Sequence, residues 1–346
     1  MALRYVVHDE ISGFDQLKPE EYEVPQKLNP GEVLVKLKAA SLNYRDLIIT
    51  KGLYPLPLQL PVVPGSDGAG IIEKVGEDVE GFEKGDSVVC NFFTNYLDGT
   101  PTDFATHSAL GGTRDGCFQK YAVLPAHALV HAPKNLSFEE IATLPCAAVT
   151  AWNGLFGSKE HQVKPGNNVL VLGTGGVSTF ALQFALAAGA NVTVTSSSDE
   201  KLEFAKKLGA THTINYKKTP QWASPALKMT NGVGYHHVIE VGGEKTLPQS
   251  IACLAKDGMI SMIGFVASEG TTPNLTSIIG QILNRNANIR GIFVGSVSMF
   301  RDMVACIEAK DIHPVVDKVF PFDQLKEAYE YQWSQAHIGK VVLKID

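Results

Sequence analysis

Residues 167–190 read NNVLVLGTGGVSTFALQFALAAGA. The run 169–172 is short and wholly apolar, as in a strand buried in a parallel sheet. Gly173, Gly175 and Gly176 follow at once. Val177, Ala181, Leu182, Phe184, Ala185 and Ala188 then recur at helical spacing, and Gly189 ends the helix. Gly173 permits a tight turn. Gly175 lets a pyrophosphate approach the backbone, where a helix N-terminus offers N–H groups and the positive end of a dipole. The third glycine of the G-x-G-x-x-G pattern is Ser178 here, a residue still small enough for close helix–strand packing. Strand, glycine turn and helix together predict a dinucleotide site at Gly173, Thr174, Gly175, Gly176 and Val177.

The surrounding sequence alternates in the same way. Strands are expected at 169–172, 191–195, 212–215, 236–241, 259–263 and 288–293. Helices are expected at 176–188, 199–208, 246–255 and 275–284. This is a doubly wound parallel sheet of the α/β class. The unit opens near Ser137, where SFEE forms a capping box. After about residue 293 the alternation stops. Two amphipathic helices are expected at 300–309 and 322–333, and a last strand, KVVLK at 340–344, is expected to rejoin the first part of the chain.

Residues 1–130 read as β-rich. The stretch EVLVKLKA (32–39) alternates apolar and polar, and 68–75 and 86–90 are further strands punctuated by Gly65, Gly76, Gly81 and Gly85. The polar segment 94–114 is long for a connection in a compact domain, so it is either a binding loop or a surface excursion. Expected boundaries are 1–132 with 297–346 for the β-rich domain, and 133–296 for the cofactor-binding domain.

Composition limits the classes of function. A chain of 346 residues with 45% hydrophobic residues can form two cores. A net charge of −6, with both signs interspersed, argues against a nucleic-acid or membrane partner. The opening MALRYVVHDE lacks a signal-peptide pattern, and no apolar run is long enough to span a bilayer, so a cytoplasmic protein is expected. Five scattered cysteines and no C-x-x-C pair point to reduced thiols.

SLNYRDL (41–47), GLYP (52–55), PGSDGAG (64–70), VGEDVEGFEKGDSV (75–88), the glycine turn, LGATHTINY (208–216) and HIGKVVL (337–343) occur in this order. Together they resemble the medium-chain dehydrogenase/reductase superfamily, in its zinc-free quinone oxidoreductase-like branch. The resemblance covers nearly the whole chain. It implies a GroES-like β-rich catalytic domain built from both chain ends, an inserted Rossmann domain and a cofactor cleft between them. Zinc-dependent relatives carry a cysteine in the segment matching residues 42–46 and a His-Glu pair where this chain has Ser66-Asp67. Neither position here offers a thiolate or imidazole, and Asp67 alone cannot make a three-ligand zinc site. His236 and His237 are adjacent on an expected strand and face opposite ways. No metal is expected.

Rossmann folds that prefer NAD end the second strand with Asp or Glu. Here Ser196, Ser197 and Ser198 follow it. Hydroxyls can bond to a 2′-phosphate, which a carboxylate would repel, and Lys201 can supply charge. Asp199 would reach a ribose only if the turn is tighter than expected, and Ser198 or Asp199 fits as a helix cap. The resemblance adds Tyr216 near the adenosine phosphate. NADP(H) is therefore the expected cofactor. The resemblance also implies contacts from Thr150, Val241, Gly242, Gly264, Phe265, Phe293 and Val294.

A nicotinamide reaction without metal favours an activated acceptor. A quinone or an α,β-unsaturated carbonyl spreads the incoming charge onto oxygen, where one or two hydrogen-bond donors can meet it. By resemblance the donor is Tyr54, with Asn43 beside the nicotinamide. Quinone reductases often carry another tyrosine where this chain has Ile48, which argues against quinone. Two alternatives stay open: a metal-free alcohol dehydrogenase, and a non-catalytic NADPH-binding protein such as the superfamily members that serve as lens crystallins. The apolar stretch NIRGIF (288–293) suits an edge strand, and the resemblance implies a homodimer paired there.

Overall fold

The strand Asn168–Leu172 lies in the interior of a six-stranded sheet, with Val169, Leu170 and Val171 fully buried. In this computed structural model residues 1–8, 13–264 and 275–346 are described. They divide into two units, Thr150–Phe293 and Met1–Val149 with Val294–Asp346.

In the first unit the strands run His212–Asn215, Asn191–Ser196, Asn168–Leu172, Tyr235–Glu240, Leu254–Met262 and Asn288–Gly291, all parallel. The order reverses between Asn168–Leu172 and Tyr235–Glu240. Ligands of such sheets bind at the strand ends beside that switch point. Helix Gly176–Ala187 covers one face through Phe180 and Phe184, and Phe184 meets Trp152 edge to face with ring centroids 5.4 Å apart. The other core gathers Leu170, Trp222, Tyr235, Ile251 and Leu254.

Several elements differ from the sequence expectation. The helix expected at 246–255 is Leu247–Ala252, because Leu254 already pairs with Tyr235 in the sheet. The strand expected at 259–263 is therefore longer, Leu254–Met262, and the last strand is shorter, Asn288–Gly291. Helix Ala223–Met229 was not anticipated. Pro225 is tolerated because it lies in the first turn, where its missing N–H costs no helical bond. Phe265 lies outside the described residues.

The second unit is built on a seven-stranded sheet. Its path is Val316–Pro321, Lys340–Lys344, Glu32–Ser41, Asp67–Val75, Ser87–Cys90 and Leu129–His131, with Tyr121–Pro125 also pairing Glu32–Ser41. Lys340–Lys344 runs antiparallel to Glu32–Ser41, with Val342 opposite Ser41. That register brings residue 340 beside residues 42–43. Residues 133–149 belong to this unit, although the sequence grouped them with the cofactor domain. The capping box does form, with Ser137 N–H donating to Glu140 Oε2 at 2.8 Å. However, Glu140 also holds His313 at 2.7 Å, and the Lys134 N–H donates to Glu308. These bonds tie the segment to the C-terminal part of the chain.

Segment 94–114 is folded back on itself. The Thr94 N–H donates to Ser108 O, the Asn95 N–H to Ser108 Oγ, and the Leu110 N–H to Phe92 O. Thr94, Ser108 and Leu110 are buried.

Candidate functional site

The glycine turn has the geometry its sequence calls for. Gly173 has φ +77°, a left-handed conformation that favours glycine, and its N–H donates to Thr195 O at 2.9 Å. Gly175 caps helix Gly176–Ala187 without a side-chain bond, and a Cβ built there meets nothing within 4 Å. The first-turn N–H groups of a 12-residue helix thus begin beside open space. Ser178 fits its position by more than size. Its hydroxyl donates to Leu172 O at 2.7 Å, stitching helix to strand. These residues fit a dinucleotide phosphate.

The neighbouring strand ends complete this region. Ser196 is buried, and its Oγ accepts from the Ser198 N–H; Ser198 Oγ caps the next helix by accepting from the Lys201 N–H. The Tyr216 N–H donates to Ser196 O, and the Tyr216 side chain is about two-fifths exposed. These hydrogen bonds thus hold residues 196, 198, 201 and 216 close in this region. Asp199 does not stand alone: Lys218 Nζ lies 2.5 Å from one carboxylate oxygen and Asn215 Nδ2 donates to the other at 2.7 Å.

The Tyr235–Glu240 strand ends in a latch that sequence reading missed. Glu240 is fully buried. Its Oε1 accepts from the N–H groups of Gly242 and Gly243 at 2.8 and 3.0 Å and from Thr246 Oγ1; its Oε2 accepts from Ser250 Oγ. Four donors compensate for burying the carboxylate. A Cβ on Gly242 would come within 2.4 Å of Thr246, and one on Gly264 within 2.7 Å of Val241 O. Gly264 is thus packed against the Val241 backbone, and Gly242 against the Thr246 side chain. Thr150 is buried at the start of its helix. Phe293 is about two-fifths exposed (39%), while Val294 is buried at φ +52°. A β-branched residue in the left-handed region is strained, and such strain concentrates at ligand sites.

In the second unit, the half-buried Tyr54 and the buried Asn43 border a buried charged pair, Arg45 and Asp46. Arg45 packs its guanidinium 5.3 Å from the Tyr54 ring centroid and 4.7 Å from that of Phe92. Arg45 Nη1 donates to Leu110 O at 2.9 Å and lies 3.6 Å from Asp46 Oδ1. A Cβ on Gly112 would come within 2.7 Å of Arg45 Nη2, so glycine there leaves room for the guanidinium. Burial opposes the charge of Arg45, but Asp46 and Tyr54 beside it outweigh burial and raise its pKa. Burial pushes the Asp46 carboxyl up to about 6, against the pull of Arg45 and of the Asn43 N–H.

Asn43 caps helix Tyr44–Thr50, and its amide is engaged at both ends. Nδ2 donates to Ser66 Oγ at 3.2 Å, and Oδ1 accepts from Lys340 Nζ at 2.6 Å. Lys340 Nζ also donates to Leu42 O at 2.7 Å and to Asp67 Oδ2 at 3.4 Å. An ammonium has three N–H bonds, and three acceptors surround this one. Among the described residues, no three His, Cys, Asp or Glu side chains converge to hold a metal ion. The oxygens of Asn43 and Asp67 already face a cation. His236 Nδ1 accepts from the Asn168 N–H, and His237 is buried in the sheet. Burial raises the thiol pKa of Cys90 and Cys253 to about 12 and that of Cys117 well above its ordinary value; all five cysteines are free.

Two family descriptions match the chain: "Alcohol dehydrogenase GroES-like domain" over residues 29–134 and "Zinc-binding dehydrogenase" over residues 176–309. An alcohol dehydrogenase of Geobacillus stearothermophilus is 31% identical over 339 residues, covering 95% of this chain and 96% of the relative. A solved NAD-dependent alcohol dehydrogenase superposes with a TM-score of 0.87 at 34% identity, covering 99% of this chain and 100% of the other. A crotonyl-CoA carboxylase/reductase superposes with a TM-score of 0.86 at 25% identity, covering 99% and 88%.

Proposed function

The chain belongs to the medium-chain dehydrogenase/reductase superfamily, and from that premise we propose a zinc-independent, NADP(H)-dependent reductase of α,β-unsaturated carbonyl compounds. The observation that carries metal independence is Lys340. Its ammonium donates to Asn43 and Asp67, so a divalent ion there would meet a fixed positive charge within a few ångströms.

NADPH, when bound, supplies a hydride to the acceptor. The backbone N–H groups after Gly175 would hold its pyrophosphate, and Ser196, Lys201 and Tyr216 its adenosine end. Reduction at the β-carbon leaves an enolate oxygen that needs a hydrogen bond. The Tyr54 phenol gives that bond, and Arg45 against its ring holds the side chain in place. Asn43 keeps its orientation through Ser66 and Lys340, and an amide NH2 has a second N–H to offer a substrate oxygen. No apolar helix among the described residues is long enough to cross a membrane, and a small acceptor taken up from solution fits this reading. So does a homodimer, because Asn288–Gly291 is the last strand of its sheet and leaves Ile289 exposed.

A metal-free alcohol dehydrogenase is the second reading, favoured by the names of the relatives. One assay separates the two. Nucleotide oxidation is followed with enones, 2-enals and quinones, and nucleotide reduction with primary and secondary alcohols, with and without a zinc chelator. Chelator-insensitive NADPH oxidation by enones is expected. Activity on alcohols alone favours the second reading, and loss of activity to the chelator removes metal independence. No turnover with any of them would favour a binding protein.

A further inference from the structure

Asp199 opens the helix that follows the second strand, and its side-chain partners come from another strand. The strand His212–Asn215 pairs with Asn191–Ser196 so that Asn215 lies opposite Ser196. Residues 216–218 therefore emerge beside the 196–199 turn. Asn215 fixes that exit: its Oδ1 accepts from the N–H groups of Lys217 and Lys218, while its Nδ2 donates to Asp199 Oδ1 at 2.7 Å. Lys218 Nζ takes the other oxygen at 2.5 Å. Both oxygens of Asp199 are thus engaged by neighbours from the 215–218 segment. The carboxyl is held below its usual range, first by Lys218 and then by Asn215.

We infer that Lys218 sets this chain's choice between the two nicotinamide dinucleotides by holding Asp199. NAD-preferring Rossmann sites use a strand-end carboxylate to accept from the ribose 2′-OH, and the same charge repels a 2′-phosphate. In this chain the nearby carboxylate, Asp199, stands past the strand end at the start of the next helix, and Lys218 and Asn215 hold it there. Each of its oxygens already accepts one bond, so a ribose hydroxyl would compete with Asn215 and Lys218, and the carboxylate's charge is balanced by an ammonium at contact distance. A 2′-phosphate beside Ser196 and Lys201 then meets hydroxyls and a positive balance of charge. Lys218 is a positioning residue in this scheme, acting through Asp199. The inference rests on the NADP(H) reading of the site.

The pair is exposed, with side chains 68% and 58% accessible, so substitution there leaves the fold intact. Calorimetric titration of the unloaded protein with NADPH and with NADH gives an affinity ratio for the parent, Lys218→Met, Asp199→Asn and the double variant. In the parent background, Lys218→Met uncovers the carboxylate and should lower the NADPH-to-NADH affinity ratio by about tenfold. In the Asp199→Asn background the same change should move the ratio by less than about twofold, because no carboxylate is left to uncover. An unchanged ratio in Lys218→Met overturns the inference. So does an equal fall in both backgrounds, which would mean that Lys218 pairs with the phosphate itself. A parent that binds both nucleotides equally would remove the NADP(H) reading, while the Lys218 effect would still be read as a change from the parent ratio.

Discussion

Lys340 Nζ donates to Asn43 Oδ1 at 2.6 Å, joining residues 297 positions apart. Both are buried, and the same ammonium reaches the fully buried Asp67. The last strand of the chain thereby orients the residue that caps helix Tyr44–Thr50. Removing one partner of a buried charged pair leaves the other uncompensated. Lys340→Met should therefore destabilise the GroES-like unit by about 3 kcal/mol, read from urea denaturation. A loss below about 1 kcal/mol would show that Asp67 finds other compensation.

Tyr54→Phe removes a hydroxyl and keeps the ring that packs on Arg45. If the phenol bonds the enolate in the transition state, turnover with an enone should fall by about 10²-fold with NADPH affinity unchanged. A silent substitution would leave the enolate to Asn43 or water and remove Tyr54 from the mechanism.

His237 is 4% exposed, and burial, reinforced by His236 and His161, pushes its pKa down to about 4 from an ordinary 6.5. The unfolded chain then binds more protons between those values, so stability rises with pH across that window. The buried neutral imidazole imposes no penalty above pH 6.5; the penalty grows as pH falls and is complete below about 4, amounting to about 3 kcal/mol. Urea midpoints measured across this range should fall with pH in the parent and fall less in His237→Gln. Equal slopes in the two proteins would place the titration elsewhere.

Ile289 on the edge strand and Leu283 on helix Leu275–Arg285 are 40% and 75% exposed. A lysine on an exposed sheet edge opposes strand pairing between copies. Light scattering should give a dimer for the parent and a monomer for Ile289→Lys, with unchanged circular dichroism. A monomeric parent would exclude the edge-to-edge dimer.

Much of the glycine-turn region could be read from the sequence because its signals are local. Gly173 needs a left-handed φ, Gly175 needs space, and both lie within a few residues of the strand and helix they join. The capping box at Ser137 is local too, and it formed; what it could not reveal was which unit residues 133–149 would join, since Glu140 meets His313 only in the folded chain. Helix Ala223–Met229 escaped notice because Pro225 reads as a helix breaker unless its place in the first turn is known.

The sequence by itself determined the α/β class, the strand–glycine turn–helix unit and the reuse of the C-terminal strand, all encoded in short-range periodicity and glycine spacing. Tertiary structure alone decided the state of the charges. Asp199 is a carboxylate with no evident partner in the sequence and an engaged one in the fold, because Asn215 and Lys218 arrive from the adjacent strand. Glu240 becomes a latch only when Gly242, Gly243, Thr246 and Ser250 surround it. Asn43 becomes a fixed node only when Lys340 reaches it from the far end of the chain. The physical reason is that backbone preference is set by neighbours in sequence, whereas a buried charge is tolerable only beside partners that sequence spacing does not reveal.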